Sequence, residues 1–525
     1  MNQTIPSLLR AAARRYGDKA ALISDRNERT SFAKIDAEAD RVARALLADG
    51  VHLGDRLAIW APNMWEWVAA AVGLQRVGGT LVPLNARYRG VEVADIVRRA
   101  GVTHLIMAGK VGSAYFPDLL RDEDTPSLRR RIVFDIDSAK ANGRDIAWGR
   151  FLQRGEDVSD AALGERETMV TPDTISDIMF TSGTTGRPKG AVFDHRTAIR
   201  GAENMIGYPS ISEQDVFCPM GPFAHLGGYK TGWLVGLLAG ATVCWGDTRD
   251  GKATLDLISS RRITIMPAPP VTWQDLLDSP NRADWDVSCL RFVATGGTVV
   301  PPHIVRRLRA ELNVQQVGTG YGMTETTGIT NYSRPEDSPE QVALTVGRPA
   351  PDSEVRIVDA EGRVLPADGT GEIVVRNDRL LIKYLDDPVA TRAALEPDGW
   401  LHTGDVGCMD EEGYLRITDR LKDMYISNGF NVYPAELERL LMTMPGVKDC
   451  AVIGIPDARR GEAGHLFLVR GAGSTTTEAE AIGWCKQTFA NYKVPELVTF
   501  VDELPRNALG KVLKNQLRNL QDKHA

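Results

Sequence analysis

An α/β fold follows from three features of this chain. Between about residues 55 and 320, short apolar runs alternate with amphipathic stretches of helical length. That pattern builds parallel sheets with helices packed on their faces. After about residue 345 the texture changes to short alternating segments with turn signals, the mark of a smaller β-rich unit. A tail of roughly a hundred residues then carries its own strand and helix patterns, enough for a further small α+β domain.

The elements follow in order. Arg10, Arg14 and Arg15 lie on an Ala/Leu helix that begins after Pro6. Its composition matches a targeting helix, but Asp18 and the immediate strand Ala20-Ala21-Leu22-Ile23 favour the start of a mature domain. Strands are expected at Arg56-Leu57-Ala58-Ile59-Trp60, Thr80-Leu81-Val82, His104-Leu105-Ile106-Met107, Ala241-Thr242-Val243-Cys244, Ile263-Thr264-Ile265-Met266 and Leu290-Arg291-Phe292-Val293. Several end in Pro or Gly, as at Ala61-Pro62, Pro267-Ala268-Pro269-Pro270 and Gly296-Gly297, where a ligand crevice opens in such folds. The β-rich unit reads from Glu354-Val355-Arg356-Ile357-Val358 through the turn Ala367-Asp368-Gly369 to Glu372-Ile373-Val374-Val375. Beyond Asp419-Arg420-Leu421-Lys422-Asp423 the tail is βαβ-like: Ala451–Gly454, Leu466–Val469, a helix from Thr477 to Phe489, and Val498–Val501.

Composition narrows the function classes. A chain of 525 residues exceeds one hydrophobic core, and two to four folding units are expected. With 43% hydrophobic and 25% charged residues it has the make-up of a soluble globular protein, and its net charge of −7 gives no reason to expect nucleic acid as the main partner. The six cysteines are scattered without a Cys-x-x-Cys or a zinc-ligand grouping, so neither a disulfide framework nor a metal cluster is expected. The longest apolar stretch, Trp233 to Trp245, is too short to span a bilayer. A cytoplasmic enzyme is the expected class; the oligomeric state stays open, a homo-oligomer included.

Four segments carry chemistry. Thr181-Ser182-Gly183-Thr184-Thr185-Gly186-Arg187-Pro188-Lys189-Gly190 packs three glycines, four hydroxyls and two cations into one loop. Glycines let backbone approach an anion, hydroxyls donate to it, and Arg187 and Lys189 add charge where a polyphosphate would lie. It follows a buried strand end, Asp177-Ile178-Met179-Phe180, and it is not a Walker A loop, because Pro188 stands where Gly-Lys-[Ser/Thr] would open a helix. Gly320-Tyr321-Gly322-Met323-Thr324-Glu325-Thr326 offers a ring for a base, a hydroxyl for a phosphate and a carboxylate for Mg²⁺, although Glu325 also suits a helix cap. Trp400-Leu401-His402-Thr403-Gly404-Asp405 reads as a turn ending on a carboxylate that could accept both ribose hydroxyls or simply shape the turn. In Pro505-Arg506-Asn507-Ala508-Leu509-Gly510-Lys511 a lysine follows a glycine turn.

In this order and spacing the segments resemble the adenylate-forming superfamily of acyl-CoA synthetases, peptide-synthetase adenylation domains and luciferases, from Leu8 to about Leu517. The resemblance implies an N-terminal domain over 1–420, built of two parallel-type sheet subdomains and a small β-rich one, and a mobile α+β C-terminal domain over 421–525. It implies that a carboxylic acid and ATP form acyl-AMP and pyrophosphate, and that the acyl group then passes to the thiol of coenzyme A. Thr181, Ser182, Gly183, Thr184, Thr185, Gly186 and Lys189 would cover the β- and γ-phosphates, Thr324 would touch the α-phosphate, and Glu325 would hold Mg²⁺. Asp405 and Arg420 would bind the ribose, Tyr321 and Gly322 would lie by the adenine, and Gly296, Gly297 and Thr298 would wall adenine and acyl chain.

Lys511 would bridge the substrate carboxylate and the α-phosphate, where an ammonium offsets charge that builds as oxygen attacks phosphorus. Lys422 matches the hinge. Ser427, Asn428 and Gly429 would face coenzyme A, with Asn428 standing where relatives commonly have Gly. His225 matches the position beside the substrate carboxylate. With Tyr229, Trp233, Val271 and Gly318 it would line an apolar acyl pocket.

No acid lies between Asp215 and Asp247 to hold an α-ammonium, which argues against amino-acid substrates. Ala61–Trp67, Val82–Tyr88 and Asp423–Ile426 look like actinobacterial synthetases for bulky alicyclic propanoates left from steroid rings; a polycyclic or terpenoid acid or a medium- or long-chain fatty acid is also admissible. The alternatives are a stand-alone enzyme loading a carrier protein, a luciferase-like oxygenase and a non-enzymatic nucleotide sensor.

Overall fold

The computed structural model describes residues 3–121, 123–136, 145–181, 188–219, 221–248, 250–296, 300–428, 430–457, 459–506 and 512–521. By packing, the chain forms two compact units, one within 1–183, 187–354 and 376–399, the other within 355–375 and 400–525.

The first unit contains both large sheets. One runs Gln316–Gly318, Phe292–Thr295, Ile265–Ala268, Val216–Phe217, Thr242–Cys244, Ala20–Ile23, Arg29–Ser31 from edge to edge, parallel at every pair except the last. The other runs Lys383–Tyr384, Lys189–Asp194, Ile175–Thr181, Thr80–Leu84, Arg56–Trp60, His104–Met107, Arg130–Val133, Asp145–Ala147. Its strands are parallel from Ile175–Thr181 onward, and Lys189–Asp194 is antiparallel to both neighbours. Every expected strand forms, and three start later than the apolar run: Thr242–Cys244, Ile265–Ala268 and Phe292–Thr295.

Helix Trp65–Arg76 is buried on nearly all sides, as its Val/Ala-rich sequence requires. Gly73 lets it approach helix Phe32–Ala48, since a Cβ there would lie 2.6 Å from the Cβ of Val42. Its last residue, Arg76, has no exposed side-chain surface and is paired with Asp36, Asp40 and Glu167, the arrangement that makes a buried guanidinium tolerable. The first helix begins at Ile5 rather than after Pro6. Thr4 caps it by accepting from Ser7 N, and Pro6 sits in the first turn, where its missing N–H costs nothing.

The second unit has an antiparallel four-stranded sheet, Glu354–Val358, Gly371–Arg376, Leu401–Met409, Leu415–Arg420, and a five-stranded sheet built on the hairpin Val447–Asp457 and Gly461–Arg470. The tail is thus a hairpin followed by a true βαβ step: helix Glu478–Thr488 leads to Leu497–Phe500, which pairs parallel with Gly461–Arg470. Leu415–Arg420 is hydrogen-bonded into the four-stranded sheet, and the two compact units part near 354, 376 and 400.

Candidate active site

Strands Ile175–Thr181 and Lys189–Asp194 form an antiparallel hairpin in which Thr181 and Lys189 are direct cross-strand partners; Ser182, Gly183, Thr184, Thr185, Gly186 and Arg187 lie outside the described residues. Glu325 meets this hairpin. It is 6% exposed, and its Oε1 accepts from the Thr181 hydroxyl at 3.2 Å and from the Tyr384 hydroxyl at 2.9 Å. The ammonium of Lys189 stands 5.1 Å from the centre of the Tyr384 ring, and burial beside Glu325 pushes the Tyr384 phenol well above its ordinary pKa. Among the described residues both hydrogen bonds to the Glu325 side chain fall on Oε1, which leaves Oε2 for an ion. A single carboxylate of this kind fits Mg²⁺, which keeps most of its shell as water and phosphate oxygen.

Glu325 is not a helix cap of the ordinary kind. It is the middle residue of a single 3₁₀ turn, Thr324–Thr326, closed by Thr327 in the left-handed region (φ 51°). Thr324 is half-buried at the start of the turn, Tyr321 is 9% exposed on strand Gly320–Met323, and Gly322 is exposed. Gly322 has to be glycine, since a Cβ would fall 2.0 Å from the carbonyl oxygen of Gly328 on the paired strand. The turn is pinned by Arg379, which has no exposed surface and donates to Thr326 O at 2.7 Å, Ile329 O at 2.8 Å and both carboxylate oxygens of Asp352. Gly296 ends strand Phe292–Thr295, while Gly297 and Thr298 lie outside the described residues.

In the second unit Asp405 and Arg420 face each other across strands Leu401–Met409 and Leu415–Arg420 and form an ion pair at 3.0 Å. The segment expected to be a turn is strand, bent at Gly404 (φ 69°), and the Thr403 hydroxyl accepts from Asp405 N at 3.1 Å. Lys422 is exposed in the turn after Arg420. Ser427 is fully buried and pairs with Phe430 across antiparallel strands. Asn428 is left-handed (φ 52°), the conformation that makes Asn-Gly the favoured pair in such loops; Gly429 lies outside the described residues. Lys511 also lies outside them, but its flanks are set: Arg506 and Val512 form an antiparallel bridge, and Leu513 N donates to Pro505 O at 2.7 Å.

His225 is half-buried in a tight loop, its Nδ1 accepting from Gly227 N at 3.3 Å, and burial lowers its pKa, so the ring is neutral at pH 7. Tyr229 and Trp233 have no exposed surface. They stack at 4.7 Å within the core, with Trp67 edge-on to both. Val271 is 63% exposed on helix Pro270–Leu277. Gly318 is buried against Tyr208, whose hydroxyl would lie 2.0 Å from an added Cβ. Residues 229–233 form a π turn, with Gly232 at φ −120°, ψ −108°.

Residues 9–385 match the family model for AMP-binding enzyme and residues 436–511 that for the AMP-binding enzyme C-terminal domain. The chain belongs to the AMP-binding enzyme family. It is of the acyl-CoA ligase type: it is 43% identical, over 99% of both chains, to 3-[(3aS,4S,7aS)-7a-methyl-1,5-dioxo-octahydro-1H-inden-4-yl]propanoyl:CoA ligase of Mycobacterium tuberculosis (strain ATCC 25618 / H37Rv). It is 41% identical, over 98% of both chains, to the ligase of the same name from Rhodococcus jostii (strain RHA1). Among solved structures, ATP-bound MatB from Rhodopseudomonas palustris superposes with a TM-score of 0.83 at 28% identity over 99% of both chains.

In this AMP-binding enzyme, sequence reasoning missed Tyr384 and Arg379, which meet Glu325 and its turn from another segment and lie in no motif of their own. The one available signal was an arginine, Arg379, directly before the apolar pair Leu380-Leu381, too common to single out. No helix among the described residues is long and apolar enough to cross a membrane, and none of their His, Cys, Asp and Glu side chains gather into a metal-holding group of three.

Proposed function

We propose that the protein activates a hydrophobic, ring-bearing propanoic acid of the steroid-derived or related polycyclic class as its CoA thioester. The observation that carries the ATP half is the Glu325 carboxylate, held by Thr181 and Tyr384 at the root of the phosphate hairpin. Its support for the acid is the likeness to two ligases named for a bicyclic propanoyl group.

The chemistry assigns each group one task. A carboxylate oxygen of the acid attacks the α-phosphorus and pyrophosphate leaves. Residues 181–189 bind the β- and γ-phosphates, and Thr324 orients the α-phosphate. Glu325 would hold Mg²⁺, which when bound supplies charge neutralisation across the phosphates. The Asp405–Arg420 pair takes the ribose, and Lys511 offsets charge between the two anions that must meet. With His225 neutral, the imidazole orients the carboxylate without competing as a second cation. A hinge at Lys422, dividing 1–420 from 421–525, then brings Ser427, Asn428 and Gly429 to the acyl-adenylate; the thiol sulfur attacks the carbonyl carbon and AMP leaves. The reaction runs in the cytoplasm on freely diffusing substrates.

Pyrophosphate release with ATP, Mg²⁺ and a panel of alicyclic, polycyclic, aromatic and fatty acids, with and without CoA and followed by mass spectrometry, tests this. A CoA-dependent thioester with a ring-bearing propanoate is expected. Preference for straight-chain acids overturns the substrate class, and accumulation of acyl-adenylate with CoA present overturns the acceptor.

A further inference from the structure

We propose that segment Gly221–Trp233 is a specificity element positioned from outside itself, by Asn63 at one end and the buried pair Asp177–Lys230 at the other. These anchors set affinity for the acid without touching ATP. The proposal rests on the reading that this segment, through His225, borders the acid.

Asn63 follows the end of strand Arg56–Trp60. Its Oδ1 accepts from Phe223 N at 2.7 Å and its Nδ2 donates to Gly221 O at 3.4 Å, so one side-chain amide imitates a paired strand at the start of the loop. The loop then folds tightly on itself. Gly228 N and Tyr229 N both donate to His225 O, at 3.0 and 2.8 Å, and a Cβ on Gly228 would lie 2.1 Å from Pro222 O.

From Tyr229 to Trp233 the chain makes a π turn containing Gly232 at φ −120°, ψ −108°, an irregularity that gathers at functional sites. Lys230 fixes its register. Its ammonium has no exposed surface, pairs with Asp177 Oδ1 at 2.9 Å and stands 3.2 Å from the centre of the Phe193 ring. The neighbouring Tyr229 hydroxyl accepts from Gln75 at 2.9 Å, and Gln75 also donates to Ser176 O at 3.1 Å.

A fully buried ion pair is a poor source of stability, since two apolar side chains of equal volume often serve as well or better. What it does supply is register. The Tyr229 hydroxyl also donates to Asp177 Oδ2 at 3.5 Å, so a slip of one residue along the turn would break this contact and leave the ammonium in the core without its carboxylate. Asp177 lies on the strand that ends at Thr181, so the acyl-side loop is indexed to the strand that carries the phosphate hairpin.

The test uses the full-length enzyme and the acid it turns over best. Asn63→Ala is expected to raise KM for the acid about tenfold, near 1.4 kcal/mol, with KM for ATP and Tm unchanged. Asn63→Asp keeps the acceptor for Phe223 N but sets an acceptor-only oxygen against Gly221 O, and its acid KM is expected to fall between those of Asn63→Ala and wild type. The double variant Asp177→Leu with Lys230→Met is expected to match or exceed wild-type Tm while raising KM for the acid by at least as much. Unchanged acid KM in Asn63→Ala and the double variant, or parallel rises for acid and ATP, overturns the proposal. If the double variant fails to fold, Asn63→Ala decides alone. Should the wild type prefer a fatty acid, the substrate reading fails while the anchors are tested unchanged on that acid.

Discussion

Glu325 owes its position to two hydroxyls drawn from distant parts of the chain, Thr181 and Tyr384. Removing the second by Tyr384→Phe takes a hydrogen bond from a charged, nearly buried group, worth about 1.5–3 kcal/mol. Pyrophosphate release is expected to fall about tenfold with a higher Mg²⁺ requirement; a Mg²⁺ titration identical to wild type would show that Tyr384 plays no part. Arg379 acts one step further out. Its replacement in Arg379→Met leaves two carbonyls and Asp352 without their donor, and denaturant unfolding is expected to report a loss of about 3 kcal/mol. The motif Tyr321–Thr326 was legible because its residue types are rare together, whereas Tyr384 and Arg379 were not, since nothing local sets them apart from any other tyrosine or arginine.

At the level of elements, strand Gln316–Gly318 depends on a glycine that makes room for Tyr208. Gly318→Ala is expected to destabilise by about 1–3 kcal/mol through overpacking, and Tyr208→Phe in the same chain to restore part of it, because the clashing atom is the hydroxyl. A double-mutant cycle showing no coupling would contradict this.

Helix His195–Gly207 opens on a histidine with no exposed surface, whose Nδ1 accepts from Ile5 N at 3.3 Å. Burial lowers the His195 pKa to about 3, so the folded state keeps it neutral while the unfolded chain protonates it near 6.5. Its contribution is fully present above pH 6.5 and is lost as pH falls, by about 2 kcal/mol at pH 5. His195→Gln is expected to remove that share of the slope in unfolding measured at pH 7, 6 and 5. Strand positions were legible because period-two apolar runs report burial directly. The π turn at 229–233 was not, since its register is decided by Asp177 on another strand.

For the molecule as a whole, two compact units with separate cores imply that unfolding is not all-or-none. Calorimetry is expected to resolve more than one transition, and a single one with equal calorimetric and van't Hoff enthalpies would count against independent cores. The sequence by itself determined the alternating α/β plan, the second small domain and the set of motif residues, because apolar periodicity and rare residue combinations are local properties. Only the tertiary structure decided that Thr181 and Lys189 pair across antiparallel strands, that Tyr384 and Arg379 serve Glu325 and its turn, and that Tyr229 and Trp233 are buried. Those outcomes depend on which distant strand or helix a side chain meets, and burial of a charge or a ring is settled by the partner it finds there.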